Sequence, residues 1–414
     1  MRIAHLCLSN WYIEGVYYQE NELIRQHVRD GHEVLVIAST ETHRAGKLAY
    51  TTPVEFVGPE GARVIRLDYR LWPSPLARKL RVHTGVYALL EEFRPDSILF
   101  HGTCGWEIMT AARYARDNRE VLFYIDSHED QYNSARTFLS REVLHKLYYR
   151  FCLARAWPTA CKVLCVSTET MDFVEATYRV PHEKLEFFPL GGRPIPSDEY
   201  AARRSAGRDR LGIADGEILL VQSGKQTRRK KLLQTLRAFA AAAPANARLL
   251  IAGTLDENIR EEAARLIEAT PGVEFLGWRS AEELTNLLCA ADVYLQPGTQ
   301  SATMQHSLCC RCAVIIDDVP SHRAYIDGNG WLINDRVPLE SALAGITLAD
   351  LAEMQERSFG IATRLLDYAQ LANRILHRDE LTPRHSKGRN EQQSLSDLHQ
   401  LRDGYERCSH HLRC

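Results

Sequence analysis

Lys225 and Lys230 stand in a setting that suits a phosphate. Gln222, Ser223 and Gly224 precede the first of them, and the runs Ile251 to Gly253, Val273 to Gly277 and Gln296 to Ser301 follow. Each apolar run is strand-like and ends at glycine or a small polar residue. Such glycines let backbone amides approach an anion closely, and the helix after each one offers unpaired N–H groups and the positive end of its dipole. The lysines add cations of the kind that hold a diphosphate. The last loop, with Gly298, Thr299, Gln300, Ser301 and Thr303, leads into Met304, Gln305 and His306, and Ser301 or Thr303 is placed to cap that helix.

A second cluster belongs to the first half of the chain. Val121 to Ile125 delivers Asp126, His128, Glu129 and Asp130 to one polar loop, and Ser97 to Phe100 delivers His101 and Gly102 to another. A ligand rich in hydrogen-bonding groups calls for such a lining. Asp126, His128 and Asp130 also alternate as hard-cation ligands would, but they share a side only in an extended strand, so the expectation is no metal. Gly15, Glu20 and Asn21 follow the first strand-like run; Glu20 and Asn21 offer contacts to a polar ligand or, equally, a helix start.

The elements that must position these residues form a repeated pattern. Ile3 to Leu8, a helix bearing Leu23, Ile24 and Val28, and Val34 to Ala38 make one βαβ unit, and short β-branched runs that read as strands buried on both faces continue to Leu185. The pattern restarts at Ile218. A parallel sheet with ligand loops at its carboxyl edge produces this order of signals. At 414 residues the chain exceeds the roughly 250 to 300 that one core supports, so two α/β domains are expected. The boundaries read as 1–192, a polar linker 193–216, a second domain 217–376 and a polar, flexible tail 377–414.

A net charge of -2 with 45% apolar residues fits a soluble globular protein and argues against a nucleic-acid partner. Met1 to Ser9 lacks the core and cleavage site of a signal peptide, and no stretch reaches the roughly 20 apolar residues of a membrane span. Eleven cysteines without a disulfide framework suit the cytoplasm. Membrane contact, if there is any, is then peripheral, at the inner face. Cys309, Cys310 and Cys312 read as packing thiols, and Cys408 to Cys414 lies in the tail with no core behind it.

Taken together, Arg29 to Val34, Arg94 to Gly102, Leu185 to Gly191, Gly224 to Lys230, Val273 to Gly277 and Ala291 to Pro297 resemble the family 4 retaining glycosyltransferases of the GT-B fold, over about residues 1 to 376. The resemblance implies two Rossmann-like domains facing a cleft, with the acceptor held by the first and a nucleoside-diphosphate sugar by the second. It puts Lys225 and Lys230 at donor-phosphate positions and His128 beside the transferred sugar. It implies hexosyl transfer to a glycan or lipid-linked acceptor in bacterial surface polysaccharide synthesis, with no cofactor beyond the donor. Gly298 and His306 fall where family members usually carry two glutamates, leaving Gln300 to bond sugar hydroxyls as a neutral amide. Two other readings stay open: a GT-B sugar-nucleotide 2-epimerase, and a non-catalytic protein that binds glycan or a partner. The base, the sugar, the linkage and the oligomeric state are not written in these residues.

Overall fold

The computed structural model describes residues 1–44, 47–70, 75–130, 134, 137, 138, 140–298 and 301–377. Two α/β lobes, each built on its own sheet, make up this part of the chain. The first sheet contains β1 (Arg2–Cys7), β2 (Glu33–Ser39), β5 (Val54–Val57), β6 (Arg63–Leu67), β7 (Ser97–Phe100), β8 (Leu122–Ser127), β9 (Lys162–Cys165) and β10 (Leu185–Phe187); β3 (Glu41–Arg44) and β4 (Lys47–Tyr50) form a separate hairpin. Its order is β10-β9-β8-β7-β1-β2-β6-β5, parallel except where β5 meets β6. The second sheet contains β11 (Ile218–Gln226), β12 (Ala247–Leu255), β13 (Val273–Gly277), β14 (Val293–Gln296), β15 (Ala313–Asp317) and β16 (Gly330–Ile333), all parallel in the order β13-β12-β11-β14-β15-β16.

Period-two alternation explains why these strands read as continuous apolar runs. Leu219 and Val221 pack into one core while Ile218 and Leu220 pack into another on the opposite face, as Ala4 and Leu6 do against Cys7 in the first sheet. Each sheet reverses its winding direction once, between β1 and β7 and between β11 and β14. Crevices at the carboxyl ends of strands open at such switch points.

Two stretches differ from their reading in the sequence. Residues 193–216, expected as a linker, are mostly the helix Ser197–Leu211, which packs on the helix Ala281–Ala290. Arg204 and Arg208 on it are clamps rather than solvated charge. Arg204 pairs with Asp292, and Arg208 reaches the same carboxylate at 3.1 Å, whose Oδ2 also accepts from the Leu219 amide at 2.8 Å. The chain also leaves the second lobe before residue 376. After Leu366 the helix Tyr368–Arg374 crosses back to the helix Gln19–Arg29, and Ser97 Oγ donates to the Ile375 carbonyl at 2.8 Å. The tail after His377, with Cys408 and Cys414, lies outside the described residues.

Candidate functional site

At the switch point of the second sheet the backbone itself is the scaffold. Gly253 on β12 has φ +128, and a Cβ there would lie 2.0 Å from the Gly224 carbonyl on β11, so only glycine lets the two strand ends meet. Gly298, after β14, has φ +102 and would put a Cβ 1.9 Å from the Arg229 carbonyl and 3.5 Å from the Lys230 Cα. That close approach brings Gly298 to the segment Arg228–Lys230, where Gln222 Nε2 donates to the Lys230 carbonyl at 2.9 Å. Burial depresses the Lys230 ammonium to about 8. A cation partly stripped of water gains most from an anion brought to it.

Ser301 caps the helix Ala302–Cys309. Its Oγ accepts from the Met304 amide at 3.4 Å and donates to Gln296 Oε1 at 2.9 Å, so the last residue of β14 fixes the cap. Thr303 sits in the first turn of that helix. Thr299 and Gln300 lie outside the described residues. Gly224, two residues before the end of β11, and Gly277, the last residue of β13, have positive φ, while Lys225 is exposed next to Gly224. His306 instead turns into the lobe, with Nε2 3.0 Å from Thr285 Oγ1, and burial lowers its pKa. Trp278, 72% exposed directly after β13, is an aromatic at this same edge that the sequence reading passed over.

The switch point of the first sheet opens onto a cavity of about 900 Å³, lined by Asn10, Trp11, Tyr18, Glu20, Arg81, Cys104, His128, Glu129, His145 and Tyr149, and by Gly191, Ala302 and Tyr368 across from them. Ala302, next to the Ser301 cap, joins the two lobes' candidate residues at this cavity. His128 and Glu20 both line this cavity. Burial takes Asn21, His101 and Asp126 away from the cavity's surface. Asn21 is wholly buried, with Nδ2 donating to the Ile13 carbonyl and to Glu60 Oε1, both at 2.9 Å, and it holds the first loop from beneath. His101 is buried against Asp126, with Nδ1 2.5 Å from Oδ2. Asp126 is 1% exposed, and its other oxygen accepts from the Gly102 amide at 2.8 Å, so it supports the cavity wall rather than facing a ligand. Gly15 takes φ +75 in the first loop and is not among the cavity's lining residues.

Several cavity residues escaped the sequence reading because they come from distant segments. Glu129 accepts from Cys104 Sγ at 2.9 Å, from Tyr178 OH at 2.8 Å and from Thr103; His145 Nδ1 meets the same phenol at 2.7 Å. Burial, with the Glu129 charge beside it, pushes the Cys104 thiol well up, and burial lowers His145. Among the described residues Cys104, Glu129 and His145 form the one group close enough to share an ion, within 4.8 Å of one another, and Asp126, His128 and Asp130 do not. Cys309, Cys310 and Cys312 are free and fully buried in the second-lobe core, as expected of packing thiols.

Residues 15–191 match the glycosyl transferase 4-like domain and residues 217–350 match glycosyl transferases group 1. No curated relative matches the chain in sequence. Among solved structures, HepE of Anabaena in complex with UDP and glucose is similar at a TM-score of 0.55 and 17% identity, covering 91% of this chain and 98% of that one. The sucrose-phosphate synthase of Thermosynechococcus elongatus is similar at 0.58 and 15%, covering 90% and 97%. WaaG, a glycosyltransferase involved in lipopolysaccharide biosynthesis, is similar at 0.55 and 17%, covering 90% and 98%.

Proposed function

We propose that this chain, which belongs to the family 4 glycosyltransferases of the GT-B fold, moves a sugar with retention from a nucleoside-diphosphate sugar to a glycan or lipid-linked acceptor in bacterial surface polysaccharide synthesis, without a metal. The observation that carries the reading is the partly desolvated Lys230 held against Gly298 at the second switch point, one loop away from the capped helix at Ser301. As the anomeric carbon becomes cationic, negative charge builds on the departing diphosphate. A fixed cation and the free amides of a helix start stabilise that charge more than they stabilise the bound donor. The first-lobe cavity, with His128 at its wall, is offered as the acceptor side.

The 2-epimerase alternative asks for acid/base carboxylates in the cleft, where Glu129 is already bonded to Thr103, Cys104 and Tyr178 and Glu20 accepts from Asn10 Nδ2 at 3.0 Å. A lipid-linked acceptor is supported by the stretch that also lines the cavity through His145 and Tyr149. Its other side exposes Val143, Leu147 and Phe151 among Arg141, Lys146 and Arg155. Among the described residues no helix is long and apolar enough to cross a membrane, so the contact would be peripheral.

Calorimetric titration with a panel of nucleoside diphosphates and their sugars tests the donor half, since a ligand bound only by the native state also raises the melting temperature. Binding lost in Lys230→Ala supports the reading, and a panel with no binder sinks it.

A further inference from the structure

Three fully buried histidines take no part in the proposed transfer: His5 on β1, His27 on the helix Gln19–Arg29 and His101 after β7. Their ring nitrogens join end to end. His27 Nε2 lies 3.1 Å from the Ala372 carbonyl, His27 Nδ1 3.0 Å from His5 Nε2, His5 Nδ1 2.9 Å from His101 Nε2, and His101 Nδ1 2.5 Å from Asp126 Oδ2.

The direction of this chain is not free. A carbonyl only accepts, so His27 must carry its proton on Nε2 and present a lone pair at Nδ1. His5 Nε2–H then donates to His27, and His101 Nε2–H donates to His5. Three neutral rings supply three protons for four contacts. The fourth contact, His101 to Asp126, would set a lone pair against a carboxylate in a dry interior, and closing it takes one further proton.

We infer that the His27–His5–His101–Asp126 chain, locked in one direction by the Ala372 carbonyl, keeps that proton as a buried imidazolium–carboxylate pair, and that it acts as a positioning device tying the returning C-terminal segment to the loops that carry Gly102 and His128. Only the last clause rests on the proposed function. Asp126, with one oxygen on His101 and the other on the Gly102 amide, is the fixed end, and His128 Nε2 lies 3.9 Å from it. The electrostatics agree. Burial alone would lower His101, but the Asp126 charge and hydrogen bond overcome it and raise it, whereas burial holds His5 well below its ordinary value and His27 at about 4. The other charged or titratable groups facing the chain are Glu20 on His101, His32 and Asp30 at the His27 end, and the thiols of Cys7 and Cys165 beside Asp126.

Nitrogen-15 NMR of the histidine rings in the full chain reads the proton inventory directly. Expected near neutral pH are His101 protonated on both nitrogens and His5 and His27 protonated on Nε2 only. In Asp126→Asn the amide Nδ2 can donate to His101 Nδ1 while Oδ1 keeps the Gly102 amide, so His101 should become neutral with the fold retained. His27→Leu removes the acceptor of His5 Nε2–H, which frees the two remaining rings to reverse. In that variant the His128 ring signals should move and turnover should fall on the order of tenfold with donor affinity unchanged. A neutral His101 in the parent protein, or an imidazolium that survives in Asp126→Asn, overturns the proton assignment. Unmoved His128 signals in His27→Leu overturn the positioning role, a readout that stands even if no sugar is transferred.

Discussion

The two switch points solve the same problem with different materials. In the first lobe the wall is made of side chains already bonded to one another: Glu129 with Thr103, Cys104 and Tyr178, and Asp126 with His101 and Gly102. In the second it is made of backbone, with glycines at Gly224, Gly253 and Gly298, one capped helix and a lysine. A side-chain wall suits a particular pattern of hydroxyls; a backbone wall suits what the proposed donors have in common, a diphosphate. Acid, strain and charge removal should therefore fall unequally on the two.

Acid should have the largest effect, and on the first lobe. Burial holds His27 and His83 at about 4, against 6.5 for an ordinary histidine. Between those values the unfolded chain binds more protons than the folded one. Both contributions are thus complete above 6.5 and are lost as pH falls toward 4, at about 3 kcal/mol each. Hydrogen exchange followed from neutral to mildly acidic pH should show β1 and β7 losing protection ahead of β11 and β14. Simultaneous loss would erase the contrast. His101 has the opposite sign, since its raised value favours the folded state below 6.5 and is surrendered as pH climbs past it.

Gly298→Ala comes next. The new Cβ meets the Arg229 carbonyl in a left-handed backbone, so the loop must shift away from Lys230. Turnover and donor affinity should both drop on the order of a hundredfold, with a loss of stability of about 1 to 3 kcal/mol from the strained backbone. Lys230→Ala should weaken donor binding and turnover by more than tenfold, for a charge-assisted contact of about 1.5 to 3 kcal/mol. Unchanged kinetics would return this lysine to the ordinary surface. His128→Ala should have the smallest effect, lowering transfer about tenfold with nucleotide affinity intact, as one hydrogen bond to a neutral group would. Equal loss of both quantities would make His128 structural and blur the division of labour between the lobes.

The second site was legible in the sequence because its signals are local. Glycine at a strand end, a cap before a helix and a basic run all lie within a few residues, and the structure keeps Gly224, Lys230, Gly298 and Ser301 at one edge. The first site was legible only in part. His128 and Glu20 face the cavity, but Arg81, Cys104 and His145 come from separate loops and helices whose meeting depends on tertiary packing. His5, His27 and His101 share no spacing that would announce a chain. Burial also overrode residue type: Asn21, His101 and Asp126 have the chemistry of ligand contacts but spend it on the protein. Arg204 and Arg208 misled in the same way, since polarity there marks a clamp on Asp292 and not a solvated linker.

Among the described residues the polypeptide passes between the lobes twice, and the two passages touch. Gly192 N–H bonds the Leu366 carbonyl at 2.7 Å and Tyr368 N–H bonds the Gly192 carbonyl at 3.2 Å, while a Cβ on Gly191 would strike the Tyr368 ring at 2.3 Å. One crossing would act as a swivel. Two crossings laced together at glycines act as a strap hinge, which resists torsion and leaves flexion about a single line as the soft coordinate. Bulk introduced at Gly191 would jam that line from the wall of the cavity itself.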